Sequence, residues 1–199
     1  MKTAFSFIFL MACLTGISQV SMRPFPQHSK YAQGVVIPDH IAQKVLDDST
    51  YSFYTRWKQR YVKKSACTDG YYIWSENAEK NNQCVSEGQG YGMIIVALMS
   101  GNKTTEQNLF DELFTYYKKH PSSRNSYLMS WAQTNDCKNF EESSASDGDI
   151  DIAYSLLLAD VQWTSHGKIN YREEAGKISM RSKNRILTRN FSMFLRVIQ

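Results

Sequence analysis

The chain has 199 residues, 42% of them hydrophobic, 13% aromatic and 21% charged, with a formal net charge of +4. That is the composition of a soluble, folded, secreted domain. The small positive balance is concentrated in the last segment, so it supports no nucleic-acid role.

Residues 1–21 read as a secretion signal, with Lys2 as the basic start and AFSFIFLMACL as the apolar core. The core is too short to span a membrane as a stable helix, so no membrane span is expected. A cut near Ser18 or Ser21 leaves a small residue at the cleavage point. The competing reading is a lipoprotein signal, with Leu10-Met11-Ala12-Cys13 as the lipid-attachment box. Either way the product is secreted or periplasmic.

From Pro24 to Pro38 the proline-punctuated chain is expected to wrap the surface. Ile41 to about Lys63 carries Ile41, Val45, Leu46, Tyr51, Phe53, Tyr54, Trp57 and Tyr61 at helical spacing, and the aromatics are expected to serve as core. Thr68 to Glu79, with Tyr71, Tyr72, Ile73 and Trp74, reads as a short extended excursion. Cys67, Cys84 and Cys137 remain once a signal is removed. Cys67–Cys84 is the simplest disulfide, leaving one odd thiol. No C-x-x-C pair or helical His pair accompanies them, so metal binding is not expected. No other cofactor is expected.

Ser86 to Met99, SEGQGYGMIIVALM, sets one carboxylate, Glu87, among alternate glycines at the mouth of a helix that is apolar all round. The glycines match neither G-x-G-x-x-G nor a Walker motif. Thr104 to Lys119 is an amphipathic helix, with Leu109, Phe110, Leu113, Phe114 and Tyr117 inward, ended by His120-Pro121. His120 and His166 read as surface residues. Trp131 lies in a short apolar segment followed by a polar loop. No G-x-S-x-G elbow supports a serine hydrolase.

A second helix mouth follows at Ala145–Trp163, ASDGDIDIAYSLLLADVQW. Ser144 or Ser146 can cap it, and Asp147, Asp149 and Asp151 suit the positive end of its dipole. The D-x-D-x-D pattern is not a calcium loop, because Ile152 and Leu158 occupy the positions that need Gly and Glu. Two apolar helices that each present carboxylates at their mouths point to paired acid–base chemistry, as glycoside hydrolysis requires.

SEGQGYGM at Ser86–Met93 and ASDGDIDIAYSLLLADVQW at Ala145–Trp163 resemble, in order and spacing, the two signature segments of glycoside hydrolase family 8. That family comprises bacterial endoglucanases, chitosanases, lichenases and related xylanases. The likeness runs from about Pro24 to about Lys177 and includes PFPQ at Pro24–Gln27 and LMSW at Leu128–Trp131. It implies an all-α fold, an (α/α)6 barrel of inner helices wrapped by outer ones. It also implies endo-acting cleavage of a β-1,4-linked polysaccharide, glucan or chitosan, by an inverting acid/base mechanism.

At the matching positions the resemblance makes Glu87 the proton donor. Asp147 becomes the central-subsite aspartate, which holds the sugar ring and helps orient water. Some descriptions of the family call that residue the nucleophile, but an inverting pair leaves room for a water and forms no covalent intermediate. Trp131 matches a tryptophan that stacks on a sugar, with a core tryptophan as the alternative. Tyr91 and Asp149 are further substrate-binding candidates. Asp149 and Asp151 read equally as capping residues or as supports behind the contact layer. The base that activates water is expected from a later part of the barrel.

Ser179–Gln199 contains five basic residues and no acid, and resembles nothing in the family. A twelve-helix barrel needs upwards of about 200 residues, whereas residues 22–178 offer roughly 157. The expected organisation is therefore a signal at 1–21, an N-terminal part of the catalytic domain at 22–178, and a discordant tail at 179–199. That tail reads as an out-of-frame end, with a basic membrane-surface helix as the alternative. A chain truncated in this way is expected to be inactive. A carbohydrate-binding remnant and an unstable, non-functional product are the other readings.

Overall fold

The computed structural model describes residues 21–28, 34, 36, 38–75, 82–101, 105–140 and 143–181. The expected signal, Cys13 and the tail beyond residue 181 lie outside them. Five helices and six short strands follow one another as α1 (Gln43–Tyr61), β1 (Val62–Lys64), β2 (Tyr71–Ile73), β3 (Asn82–Val85), α2 (Ser86–Leu98), α3 (Thr105–Lys119), β4 (Pro121–Ser122), β5 (Asn125–Met129), β6 (Ala132–Thr134), α4 (Ser146–Trp163) and α5 (Tyr171–Arg181).

The two helices expected to be apolar all round pack on each other. Glycine permits it: a β-carbon built on Gly148 would lie 2.8 Å from the Glu87 backbone nitrogen, and one on Gly90 would lie 2.6 Å from the Asp151 β-carbon. Further along, the Gln162 side-chain amide donates to the Ala97 carbonyl at 2.9 Å. The contact points advance together along both chains, so α2 and α4 run parallel. Parallel neighbours need the chain to return between them, and α3 makes that return behind the pair.

The core lies between these layers. Met93 and Val96 of α2 meet Ile152 and Leu156 of α4 in one fully buried cluster with Phe110 and Leu113 of α3. Phe110 packs against Trp163 at 5.4 Å and edge-on to Tyr171 of α5 at 5.6 Å between ring centroids. Inner helices α2 and α4 backed by α3 and α5 make the alternation of part of an (α/α)6 barrel.

One buried amide locks this layer to its surroundings. Gln89 donates to the Leu113 carbonyl at 2.9 Å and the Tyr71 carbonyl at 3.3 Å, and accepts from the Ile73 N–H at 3.0 Å. Every polar group of that side chain is used, as burial demands.

The strands form three antiparallel pairs, β1–β2, β3–β6 and β4–β5. Runs of two to five residues are too short to register as alternation in the sequence. The turn between β4 and β5 is held by side chains bonding two residues on: Arg124 N–H to Ser122 Oγ, and Tyr127 N–H to Asn125 Oδ1.

Three expectations are corrected. The aromatics of α1 serve as core only in part: Tyr54 is buried and Trp57 and Tyr61 pack against the core, whereas Tyr51 and Phe53, like Val45, are more than half exposed. Their rings pack along the helix itself, Tyr51 on Tyr54, Tyr54 on Trp57 and Trp57 on Tyr61. The helix is tied to α3 through Lys58–Glu106 at 3.0 Å.

The disulfide joins Cys67 to Cys137, not to Cys84. Cys84 points from β3 into the core beneath Gln89 and is fully buried as a free thiol. Cys67 sits on the outer β1–β2 loop, so the two neighbours in sequence face different sides of the fold.

His120 is buried rather than on the surface, because the β4–β5 hairpin folds back over the end of α3. Its ring packs on Tyr116 at 4.3 Å and its Nδ1 lies 3.2 Å from Asn139 Oδ1. Burial pushes its pKa below the usual histidine value, against the Asn139 bond.

Candidate active site

Strand β3 runs directly into α2, and the end of its ladder with β6 pairs Val85 with Ala132. The first amide of α2, Ser86 N–H, therefore finds its acceptor in the Trp131 carbonyl at 2.9 Å and needs no capping side chain. At α4 the residue before the helix is Ala145, which makes no side-chain cap, so neither Ser144 nor Ser146 caps as expected. The Ser144 hydroxyl instead donates to Asp149.

Because α2 and α4 are parallel and in glycine contact at their first turns, their positive dipole ends open at one mouth. Glu87 stands in the first turn of α2, and Asp147 and Asp149 in that of α4. Glu87 is half-buried and accepts from Ser86 Oγ at 3.2 Å. Asp147 is exposed, and its Oδ1 accepts from the Gly148 N–H at 3.0 Å.

Asp149 is turned inward and is 3% exposed. It accepts from the Met129 N–H at 3.1 Å. Burial lifts its pKa to about 7; the bonds from Met129 and Ser144 oppose the rise, and the charges of Asp147 and Glu87 add to it. Asp151 is half-buried behind Gly90. Burial raises its pKa first, then the charges of Asp147 and Glu87. All four carboxyls thus share one field.

Trp131 crosses this mouth. Its carbonyl takes the Ser86 amide of α2, and its own N–H donates at 3.1 Å to the Ser143 carbonyl just before α4. Its half-buried ring meets Phe140 edge-on at 5.8 Å. Tyr91 lies one turn beyond Glu87 on the same face of α2 and is 58% exposed. The structure therefore brings Glu87, Asp147, Asp149, Trp131 and Tyr91 to one place. Phe140 joins them without having been singled out; its signal was a lone aromatic in a polar loop.

Chemically, the mouth offers two accessible carboxyls, Glu87 and Asp147, beside an aromatic surface suited to the C–H face of a sugar. Asp149 is occupied with backbone and hydroxyl donors. Among the described residues, no group of three or more His, Cys, Asp or Glu side chains is arranged to hold a metal. A separate concavity of about 820 Å³, lined by Lys64, Thr68, Glu112, Lys119 and Lys168 among others, shares no residue with the mouth.

Residues 24–196 match the profile described as Glycosyl hydrolases family 8, a match that runs on into the tail at 179–199 that was expected to resemble nothing in the family. The chain belongs to glycosyl hydrolase family 8. It is 47% identical over 156 residues to a "Beta-glucanase" of Niallia circulans, which covers 78% of this chain and 37% of that relative. It is 43% identical over 176 residues to an "Endoglucanase" of Bacillus sp. strain KSM-330, covering 81% and 37%.

Among solved family 8 structures, it superposes on the apo β-1,3-1,4-glucanase of Paenibacillus sp. X4 with a TM-score of 0.73 at 44% identity. That match covers 80% of this chain and 42% of that one. The chain thus spans about two fifths of the length of the family 8 proteins it matches.

Proposed function

We propose that this chain carries the proton-donor side of the active site of an endo-acting β-glucan hydrolase that works by inversion. The observation that carries the reading is the juxtaposition of Glu87 and Asp147, one at each mouth of two parallel helices locked together by Gly148 and Gly90. Relatives named for glucanase activity favour a glucan with β-1,4 linkages over chitosan.

In this mechanism a sugar ring lies on Trp131 with Tyr91 beside it. Glu87 gives its proton to the glycosidic oxygen as the bond breaks. Asp147 holds the ring at the cleavage subsite and orients the water that attacks the opposite face. Inversion needs a second carboxylate, the base, set far enough from Glu87 to admit that water. That base is expected from a later part of the barrel. On this reading the protein is a secreted or periplasmic catalytic domain of which the 199 residues here form an N-terminal part, and these residues alone grip glucan without cleaving it.

The test is direct. Titrate the purified chain with cellohexaose and incubate it with soluble mixed-linkage glucan. Saturable binding that weakens in Trp131→Ala, without sustained appearance of reducing ends, is the expected result. Sustained release of reducing ends by these residues alone would overturn the view that the base lies elsewhere, and no binding would overturn the cleft.

A further inference from the structure

The stretch from Met129 to Trp131 is held at three successive amides. Met129 N–H donates to Asp149 Oδ1 at 3.1 Å, Ser130 N–H to the His120 carbonyl at 2.9 Å, and Trp131 N–H to the Ser143 carbonyl at 3.1 Å. The last two acceptors are main-chain groups whose places follow from the path of the chain. The first is a side chain, and it comes from the same helical turn as Asp147. Met129 is fully buried, so its amide has need of a built-in acceptor.

An aspartate is a costly choice there. Glu87 faces it from α2 and Asp147 from its own helix, α4; Asp151 lies a half-turn on, and Tyr117 of α3 stands within its field. A neutral residue would avoid that repulsion. What the carboxyl offers is two acceptor oxygens, which serve Met129 N–H and the Ser144 hydroxyl together and so join the strand end to the entry of α4.

We propose that Asp149 is a positioning residue, which through the Met129 amide and the Ser144 hydroxyl fixes Trp131 across the helix mouths and thereby sets where a sugar ring rests relative to Glu87. The proposal builds on the reading of this mouth as a glucan cleft.

The test uses the full chain labelled with 5-fluorotryptophan, whose Trp131 fluorine signal is identified by its loss in Trp131→Phe. In Asp149→Ala the Trp131 signal moves or broadens while those of Trp57, Trp74 and Trp163 stay, and cellohexaose binds about tenfold more weakly. Asp149→Asn, which keeps an acceptor for Met129, restores position and affinity to within about twofold. The wild-type Trp131 signal steps near pH 7, where Asp149 gains its charge, and the Asn variant loses that step.

An unmoved Trp131 signal in Asp149→Ala overturns the proposal, as does a binding loss without movement. Should the Ala variant not fold, identical pH curves for wild type and Asp149→Asn overturn it instead. Failure of wild type to bind cellohexaose sinks the cleft reading alone, while the fluorine signals still decide whether Asp149 places Trp131.

Discussion

Gly90 of α2 sits against Asp151 of α4 with no room for a side chain between them: a β-carbon there would lie 2.6 Å from that of Asp151 and 3.1 Å from the Ile152 amide nitrogen. Neither neighbour is the free end of a flexible side chain, so the helices themselves would have to part.

Gly90→Ala is therefore expected to destabilise the fold by about 1–3 kcal/mol through overpacking, despite the better helix propensity of alanine. Gly148→Ala, which would press on the Glu87 amide at 2.8 Å, belongs in the same range. Gly176→Ala in α5 meets nothing within 4 Å and should be neutral or stabilising by up to about 1 kcal/mol. Thermal melts of the three variants check the order, and an unaffected Gly90→Ala protein would mean the helices are not in this contact.

The buried carboxyls make stability depend on pH in a definite direction. Asp149, lifted by burial to about 7, and Asp111, lifted by burial to about 6, both hold a proton in the folded chain that the unfolded chain releases near pH 4. Their stabilising contribution is complete below about pH 4 and is lost as pH rises through about 7. For Asp149, the rise from the ordinary carboxylate range to about 7 corresponds to at most about 4 kcal/mol.

Glu174 and His120 act oppositely: against its burial, Lys177 and Lys118 hold the Glu174 pKa below the usual value, and burial holds the His120 pKa below its own, so both weaken the fold on acidification and offset part of the aspartates' effect. The melting temperature should therefore be higher near pH 5 than near pH 8, and Asp149→Asn should shrink that difference. A melting temperature that climbs from pH 5 to pH 8 contradicts this account.

Removing the Cys67–Cys137 bridge, which closes a separation of 70 residues, should cost about 2–4 kcal/mol. Cys137→Ser or a reductant should show the same loss in a melt. Cys84 should stay unreactive toward a thiol reagent until the chain unfolds, because burial pushes its pKa far up and leaves no thiolate to attack. Rapid labelling of Cys84 in the folded chain would contradict its placement.

In a chimera that completes residues 24–163 with the later part of a family 8 glucanase, Glu87→Gln should lower turnover by about 10²–10⁴-fold, with glucan binding little changed. Asp147→Asn should lower both turnover and affinity, and Asp151→Asn should do much less than either. Steady-state kinetics on mixed-linkage glucan would reveal a reversed order, which would mean that the wrong carboxyls have been placed in the cleft.

The helix mouths were legible in the sequence because a carboxylate at the start of an all-round apolar helix is conspicuous, and two of them matched one family. Their contact was less so: Gly90 and Gly148 acquire meaning only once α2 and α4 are seen to be parallel. Asp149 could not be told from Asp147 by position, since which carboxyl turns inward depends on where Met129 comes to rest. The cysteine pairing misled for a similar reason. Cys67 and Cys84 are near in chain but separated by the β2–β3 excursion, whereas β6 returns Cys137 to the outer loop. The exposed rings of α1 show the limit of periodicity, which identifies a helix without saying what lies against it.

Segment 21–25 closes the far end of the helix pair: Met22 and Arg23 bond Gln162, Ser21 takes the Trp163 indole N–H, and Phe25 N–H reaches the Ser100 carbonyl. The thirteen residues of α2 put that end roughly 18 Å from the carboxylates. A chain captured on a bead by a tag upstream of Ser21 would be held from the end opposite its cleft. The attachment point would then lie well away from Glu87 and Asp147, leaving the mouth open to a long polymer.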